Sequence, residues 1–193
     1  MEQLFLILVI LCVFVYYYKY YKIATYVKSH VDNKYYLVRR LDDQQIAADI
    51  LATIRKNITQ VAEEAKRRFD KSDNTTYQNY INVLVNRIKN IRIIENINNH
   101  EYTSYSVEKG EELVFCLRSR NNIDHLHDIN ILMYVVLHEI AHIACPEYGH
   151  TPLFKQIFTE LTKIAIDINI YKKIDFKTYP EEYCGMQITD SVV

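Results

Sequence analysis

The stretch that decides the fold is Leu137-His138-Glu139-Ile140-Ala141-His142, which has the form H-E-x-x-H. On an α-helix, residues i and i+4 lie on one face, so His138 and His142 can direct imidazole nitrogens at one metal ion. Glu139 lies beside the metal rather than on it, where its carboxylate can accept a proton from a water molecule. The pattern therefore predicts a Zn²⁺ site that can support hydrolysis.

The residues around this motif predict a buried helix. Residues 129–137 lead into the motif and residues 143–145 follow it, and the whole segment is apolar almost all round. Buried polar groups without partners are costly, so the two histidines and the glutamate need partners. A metal ion supplies them. The alternative interpretation is a set of hydrogen-bonded polar residues in the core.

A turn is expected directly after this helix. Residues 146–149 read Pro-Glu-Tyr-Gly, and proline cannot continue a helix while glycine favours a reversal. Thr151 is a good N-cap and Pro152 a good first helical residue, so the next helix should begin there. His150 is therefore expected where the chain returns past the first helix.

Catalytic zinc takes three protein ligands and leaves one position open. We therefore predict that His138, His142 and His150 bind the ion, with Glu139 as the general base. Glu147 is the alternative third ligand, because carboxylates also bind zinc.

Two tyrosines are candidate stabilisers of the oxyanion that forms during peptide hydrolysis. Tyr183, in the segment Tyr183-Cys184-Gly185-Met186, could donate a hydrogen bond to it, and Tyr148 is a second candidate. The alternative for Tyr183 is a structural role in the core.

Residues beyond the motif also contribute to a resemblance to a known family. They are Glu147-Tyr148-Gly149-His150 and Phe154. With them the chain resembles the WLM and SprT-like zincins over about residues 128–160. It resembles in particular the WLM-like proteins of large DNA viruses, which share residues 145–150 and the Tyr-Cys-Gly-Met segment, over most of the chain. Seven residues separate His142 from His150, more than in the compact H-E-x-x-H-x-x-G-x-x-H pattern.

The fold implied by this resemblance is α+β: a mostly helical zincin-like domain with a small sheet or hairpin beside the active-site helix. Residues 41–69 have apolar positions near a 3.6-residue period, which predicts a long amphipathic helix, and residues 77–91 predict a second. Residues 103–107 and 112–117 flank Gly110 and predict a β-hairpin. Glycine and proline are absent before Gly110, which predicts a mostly helical first half.

Residues 4–18 are uncharged and strongly apolar, and lysines and arginines follow them. We interpret this run as an uncleaved transmembrane helix, although 15 residues of helix cover only about 22 Å of a roughly 30 Å hydrocarbon core. The positive-inside rule then places the N-terminus outside and the catalytic domain on the cytosolic side, in a host or virion membrane. The predicted division is an anchor at residues 1–28 and a metallopeptidase domain at residues 29–193. A cleaved signal and a buried or interfacial helix are the alternatives.

The net charge of −1 gives no general reason to expect a nucleic-acid partner. The four cysteines have no C-x-x-C spacing and fit free thiols in a reducing compartment. Asp128 is expected to cap the active-site helix, with His125 and His127 as solvated loop residues rather than a second metal site.

Three functions are compatible with these features. The first is a membrane-anchored zinc metallopeptidase acting on proteins or peptides, which the resemblance implies. The second is a non-catalytic, zinc-stabilised and membrane-tethered structural or virion protein with a zincin fold, but an intact Glu139 favours the enzyme. The third is a protease for DNA–protein crosslinks, as some cellular members of the family are, but the N-terminal run and the lack of a basic tail oppose it.

Overall fold

The computed structural model of the chain describes residues 2–71, 74–97, 103–122 and 125–193. The helices in this part are α1 (Glu2–Ile23), α2 (Gln44–Phe69), α3 (Thr75–Ile88), α4 (Ile129–Ala144) and α5 (Pro152–Asp167). The strands are β1 (Ala24–Lys28), β2 (Tyr35–Arg39), β3 (Arg92–Glu95), β4 (Tyr105–Val107), β5 (Glu112–Phe115), β6 (Glu181–Tyr183) and β7 (Met186–Ile188). The α+β class is confirmed.

Helix α4 lies at the centre of the helical layer and packs on α2, α3 and α5. It is buried on nearly every side, as its continuous apolar sequence predicts. The long helix α2 packs on it, and the apolar positions of the α2 amphipathic repeat, including Leu51, Ile54 and Ile58, are buried in the same hydrophobic cluster. The helix that carries the H-E-x-x-H motif is therefore part of the main hydrophobic core, which fixes its position.

The predicted hairpin is present as β4 and β5, which pair antiparallel with Ser106 opposite Leu113. The structure adds β3 as a parallel neighbour of β5, so the sheet has the order β3-β5-β4 and β4 forms one edge. This edge strand contacts α4. The expectation of a small sheet beside the motif helix is confirmed.

Two further hairpins, β1–β2 and β6–β7, are not predicted by the sequence. The expectation of a mostly helical first half is confirmed by α1, α2 and α3, although it did not include the strands β1, β2 and β3. The connection between β1 and β2 contains no glycine, and Asn33 adopts the left-handed conformation there, with φ of 61°. Asparagine tolerates this conformation better than most residues, so the absence of glycine does not exclude a tight turn.

The prediction of an N-terminal transmembrane helix is wrong. Residues 4–18 lie on α1 and are exposed, but among the described residues no helix has both the length and the apolar character that crossing a bilayer requires. The predicted single-pass localisation, with the N-terminus outside and the domain cytosolic, is wrong with it. The physical reason is the length of the apolar run, which as a helix covers about 22 Å of a roughly 30 Å core.

The predicted membrane topology also depends on the lysines at positions 19 and 22. Their side chains lie outside the described part of the chain. The division of the chain at residue 28 stays a prediction. Strand β1, on the N-terminal side of that division, pairs with β2 on the other side.

The expectation of four free thiols is wrong for one pair. Cys116, which follows β5, forms a disulfide with Cys184 in the turn between β6 and β7, and their Cα atoms are 6.2 Å apart. Cys12 and Cys145 are free. The two bonded residues are 68 positions apart in the sequence, and sequence spacing alone cannot identify such a pair. The disulfide attaches the β6–β7 hairpin to the central strand of the three-stranded sheet.

We expect reduction of this disulfide to lower the free energy of unfolding by about 4 kcal/mol, because it closes a loop with a sequence separation of 68 and restricts the unfolded chain. Urea denaturation with and without a thiol reductant measures the effect, and Cys184→Ser should reproduce it. Cys12→Ser is the control, since Cys12 is an exposed free cysteine. Equal denaturation midpoints in both conditions would contradict the prediction.

Candidate metal centre

Helix α4 presents His138 and His142 one turn apart on the face that borders a cavity. The helix begins where predicted, because the Asp128 carboxylate accepts a hydrogen bond of 2.8 Å from the backbone N–H of Asn130. It ends at Ala144, before Pro146. The boundaries of the motif helix therefore follow from local capping and from a proline.

The turn after α4 returns the chain to the same face. Gly149 adopts a φ of +77°, a conformation that costs glycine little. Thr151 caps α5 by accepting a hydrogen bond from the backbone N–H of Phe154, and Pro152 is the first helical residue. His150, between the turn and the cap, lies against His138 and His142, as the sequence predicts.

The three histidines bring one nitrogen each to a common point. The Nε2 atoms of His138 and His142 are 3.1 Å apart, those of His142 and His150 are 3.2 Å apart, and those of His150 and His138 are 3.0 Å apart. Two nitrogens bound to one tetrahedral zinc ion at about 2.0–2.1 Å lie roughly 3.3–3.4 Å apart. The spacing thus fits a shared zinc ion to within a few tenths of an ångström.

Hydrogen bonds among the histidines do not explain this arrangement. A neutral imidazole has one N–H and one lone pair, so three converging Nε2 atoms cannot satisfy one another pairwise. If all three carry lone pairs, they repel one another unless a cation lies between them. The donor set therefore fits Zn²⁺, which accepts neutral imidazole nitrogen.

The pKa values of these histidines favour the neutral form that binds metal. Burial lowers the pKa of His138 to about 3, helped by the nearby His142 and His150. Burial lowers the pKa of His142 to about 4, with contributions from His150 and Lys109. Phe154 contributes to this environment, since its ring stacks on that of His142 at a centroid distance of 4.1 Å.

Glu139 lies beside this cluster but is not part of it. Only 7% of the residue is exposed. Burial raises the pKa of its carboxyl group to about 7. A carboxyl group with this pKa can both accept and release a proton near neutral pH, as a general base and acid must.

A cavity of about 540 Å³ opens over the three histidines and Glu139. Edge strand β4 and the residues before it form one wall, from Thr103 to Ser106, and Tyr183, Met186 and Ile188 of the β6–β7 hairpin also line it. Tyr134 and Val135 of α4 complete the lining. The cavity therefore joins the candidate metal centre to a sheet edge.

Of the two candidate oxyanion stabilisers, the structure brings only Tyr183 into this cavity. Tyr183 is buried, and its hydroxyl oxygen is 2.5 Å from Ser104 Oγ. Burial raises the pKa of its hydroxyl group, so that group keeps its proton. Tyr148 is 84% exposed and lines a neighbouring cavity that shares Ser106 and His142 with the first.

The alternative third ligand, Glu147, is not brought into the cluster. In the described part of the chain, the one group of three or more His, Cys, Asp or Glu side chains with ligand atoms within 4.8 Å of one another consists of the three histidines. Glu147 is exposed in the turn, and its backbone carbonyl accepts a hydrogen bond from Lys109.

The loop before α4 differs from expectation at one histidine. His125 is exposed as predicted, but the interpretation of His127 as a solvated residue is wrong. His127 is buried, and its Nε2 accepts a hydrogen bond of 3.2 Å from the backbone N–H of Cys184. It thus supports the turn that follows Tyr183.

Sequence reasoning also missed Ser104 and Lys109. Ser104 Oγ accepts a hydrogen bond from the backbone N–H of Cys116 and lies beside the Tyr183 hydroxyl, so it connects the strand, the hairpin and the cavity. Lys109 contacts the turn that carries His150. Nothing in the local sequence distinguishes either residue from an ordinary loop serine or lysine.

The fold and site define an α+β protein with a three-histidine cluster, in which an H-E-x-x-H helix carries two histidines and the turn after it carries the third. No protein-family profile matches the chain. It is 48% identical over 170 residues to uncharacterized protein R325 of Acanthamoeba polyphaga mimivirus, an alignment that covers 88% of this chain and 85% of R325. The chain therefore belongs to the same family of viral proteins as R325.

Two further viral proteins are similar over shorter segments. Uncharacterized protein 136R of invertebrate iridescent virus 6 is 35% identical over 82 residues, covering 42% of this chain and 44% of that protein. Uncharacterized protein 042R of invertebrate iridescent virus 3 is 32% identical over 102 residues, covering 53% of this chain and 58% of that protein. Among solved structures, Wss1 from Saccharomyces cerevisiae matches with a TM-score of 0.38 and 17% identity, covering 52% of this chain and 84% of Wss1. A likeness this weak carries no conclusion about the present chain.

Proposed function

We propose that this protein is a zinc-dependent metallopeptidase of the WLM/SprT-like type. The observation that carries the proposal is the convergence of three histidine Nε2 atoms, 3.0–3.2 Å apart, next to a buried glutamate in an open cavity. A metal site with three protein ligands and access to solvent is the arrangement that catalytic zinc requires.

The roles of the side chains follow from their positions. His138, His142 and His150 would hold the ion. When bound, zinc lowers the pKa of a water molecule and polarises the scissile carbonyl group. Glu139 takes a proton from the attacking water and then delivers it to the amide nitrogen that leaves. A carboxyl pKa of about 7 suits both transfers.

The walls of the cavity favour an extended polypeptide as substrate. Strand β4 is paired with β5 on one side, and among the described strands none pairs with its other side. Such an edge offers backbone N–H and C=O groups to an added strand, while alternate side chains of that strand enter neighbouring pockets. A substrate strand along β4 would pass the three histidines, because residues 103–106 and the histidines line one cavity.

Tyr183 is the better candidate for a hydrogen bond to the oxyanion. It lines the cavity with Glu139, and its hydroxyl group has a proton to donate near neutral pH, as tyrosines ordinarily do, while burial raises its pKa further. Ser104 Oγ and the disulfide at the neighbouring Cys184 hold it in place. Tyr148, exposed over the neighbouring cavity, fits this role less well.

The test is the metal content and peptidase activity of the purified full chain. We expect about one zinc ion per chain by elemental analysis, and cleavage of a random-sequence peptide library detected by mass spectrometry. A chelator should abolish cleavage and added zinc should restore it. His150→Ala should weaken zinc binding, whereas Glu147→Ala, the control for the alternative ligand, should leave it unchanged.

Two results would overturn parts of this proposal. A chain that binds zinc but cleaves no member of the library would favour the non-catalytic, zinc-stabilised alternative. Loss of zinc from Glu147→Ala with retention in His150→Ala would show that the third ligand is wrongly assigned.

A further inference from the structure

The turn between β4 and β5 has an unusual backbone. Glu108, Lys109 and Gly110 have φ values of 45°, 51° and 116°, so three successive residues lie in the left-handed region. A Cβ atom at Gly110 would lie 3.2 Å from Ile143 Cγ2 on α4 and 3.3 Å from Arg87 Cβ on α3. The turn is thus packed closely against two helices, and its conformation favours glycine at position 110.

The conformation of this turn directs the Lys109 side chain to the C-terminal end of α4. Its Nζ atom donates to three successive backbone carbonyl oxygens, those of Cys145 at 3.1 Å, Pro146 at 2.8 Å and Glu147 at 3.3 Å. The ammonium group also lies 4.1 Å from the centre of the Tyr148 ring. Arg87 Nη1 donates to the Lys109 carbonyl oxygen, which fixes the lysine backbone from the other side.

These contacts fall on the segment that joins two of the candidate metal ligands. Residues 145–149 connect His142 to His150 without a regular helix or strand. Among the described residues, the side-chain group that donates hydrogen bonds to the carbonyl oxygens of this segment is the Lys109 ammonium group. A cation at these carbonyls is also favourable because they end α4, where the helix dipole is negative.

We infer that Lys109 is a positioning residue for the third metal ligand. By holding the carbonyl groups of residues 145–147, it sets the path of the turn and so places the His150 imidazole against His138 and His142. The inference rests on the proposed metal centre and adds to it a residue that does not touch the ion.

Electrostatics alone predicts the opposite effect of removing this lysine. Lys109 and His142 line the same cavity, so the ammonium charge lies on the side of the candidate metal centre and opposes binding of a dication. Without a positioning role, Lys109→Met would leave zinc affinity unchanged or increase it. With that role, the same change lowers zinc affinity. The sign of the change therefore separates the two interpretations.

The experiment measures the zinc dissociation constant of the full chain by competition with a chelator. Lys109→Met is expected to weaken zinc binding by about 10- to 100-fold, the usual range for groups that orient a metal ligand. Lys155→Met is the matched control, because it removes the same charge from an exposed position on α5 and should leave the constant unchanged.

A double-mutant cycle with His150→Ala tests whether Lys109 acts through His150. In the His150→Ala background, Lys109→Met should change the zinc dissociation constant less than about twofold, because the ligand it positions is already absent. The visible spectrum of the Co²⁺-substituted Lys109→Met chain should shift towards that of His150→Ala, since the His150 nitrogen is held less well against the ion in the first variant and is absent from the second.

Each outcome decides the matter. Zinc affinity of Lys109→Met at or above that of wild type overturns the inference, as does an equal loss in both backgrounds. If Lys109→Met does not fold, Lys109→Gln, which keeps an amide donor, should still bind zinc more weakly than wild type, and wild-type affinity in it overturns the inference. Failure of the wild-type chain to bind zinc would instead overturn the metal centre itself.

Discussion

Glu139→Gln is expected to lower the rate of peptide hydrolysis by at least about 100-fold, because general acid–base catalysis typically contributes 10²- to 10⁴-fold. Glutamine keeps the size of the side chain but cannot take a proton. Glu139 lies outside the three-histidine cluster, so zinc content and thermal stability should be close to those of wild type. Steady-state rates on a cleaved library peptide, together with elemental analysis, measure both quantities.

The matched control is Glu147→Gln, which makes the same chemical change at an exposed carboxylate outside the cluster. Its rate should stay close to wild type. A Glu139→Gln chain that retains zinc and hydrolyses peptides within a few-fold of wild type would remove Glu139 from the mechanism. Loss of zinc from that chain would show that the carboxylate acts at the metal or supports a ligand.

His142→Ala is expected to weaken zinc binding by more than about 100-fold. The loss of an outer group that orients a ligand costs about 10- to 100-fold, and this change removes a ligand itself. Two histidines remain, and the ring that stacks on Phe154 is lost as well. Zinc should also stop raising the thermal midpoint of the variant, since a ligand stabilises only the state that binds it. Chelator competition and thermal melts with and without zinc measure these effects.

His125→Ala is the control for this prediction, because His125 is an exposed histidine outside the cluster. It should bind zinc as wild type does. Retention of stoichiometric, tightly bound zinc by His142→Ala would contradict the whole site, since His142 Nε2 lies within 3.1–3.2 Å of both other Nε2 atoms.

The sequence and the structure agree at the motif helix, at the helix caps and at the hairpin around Gly110. The i, i+4 spacing places His138 and His142 on one face, Asp128 and Thr151 cap the helices they were expected to cap, and a hairpin forms around Gly110. These features depend on residues within a few positions of one another, so backbone geometry and capping determine them.

The correction at the N-terminus has a different cause. Residues 4–18 have the composition of a membrane span but not the length. Apolar composition alone therefore does not define a membrane span, because the length of the run must also match the hydrocarbon core.

By itself, the sequence determined the α+β class, the motif helix, the two histidines upon it, and the turn that returns His150 to them. Only the tertiary structure showed that His150 rather than Glu147 lies in the cluster with His138 and His142. It alone also gave the pairing of Cys116 with Cys184, the position of Tyr183 at the cavity and the contacts of Lys109. The contacts that fix the cysteines, Tyr183 and Lys109 join residues 36 to 79 positions apart. Such contacts form when distant elements pack into one core, whereas periodicity, capping and turn chemistry depend on neighbouring residues.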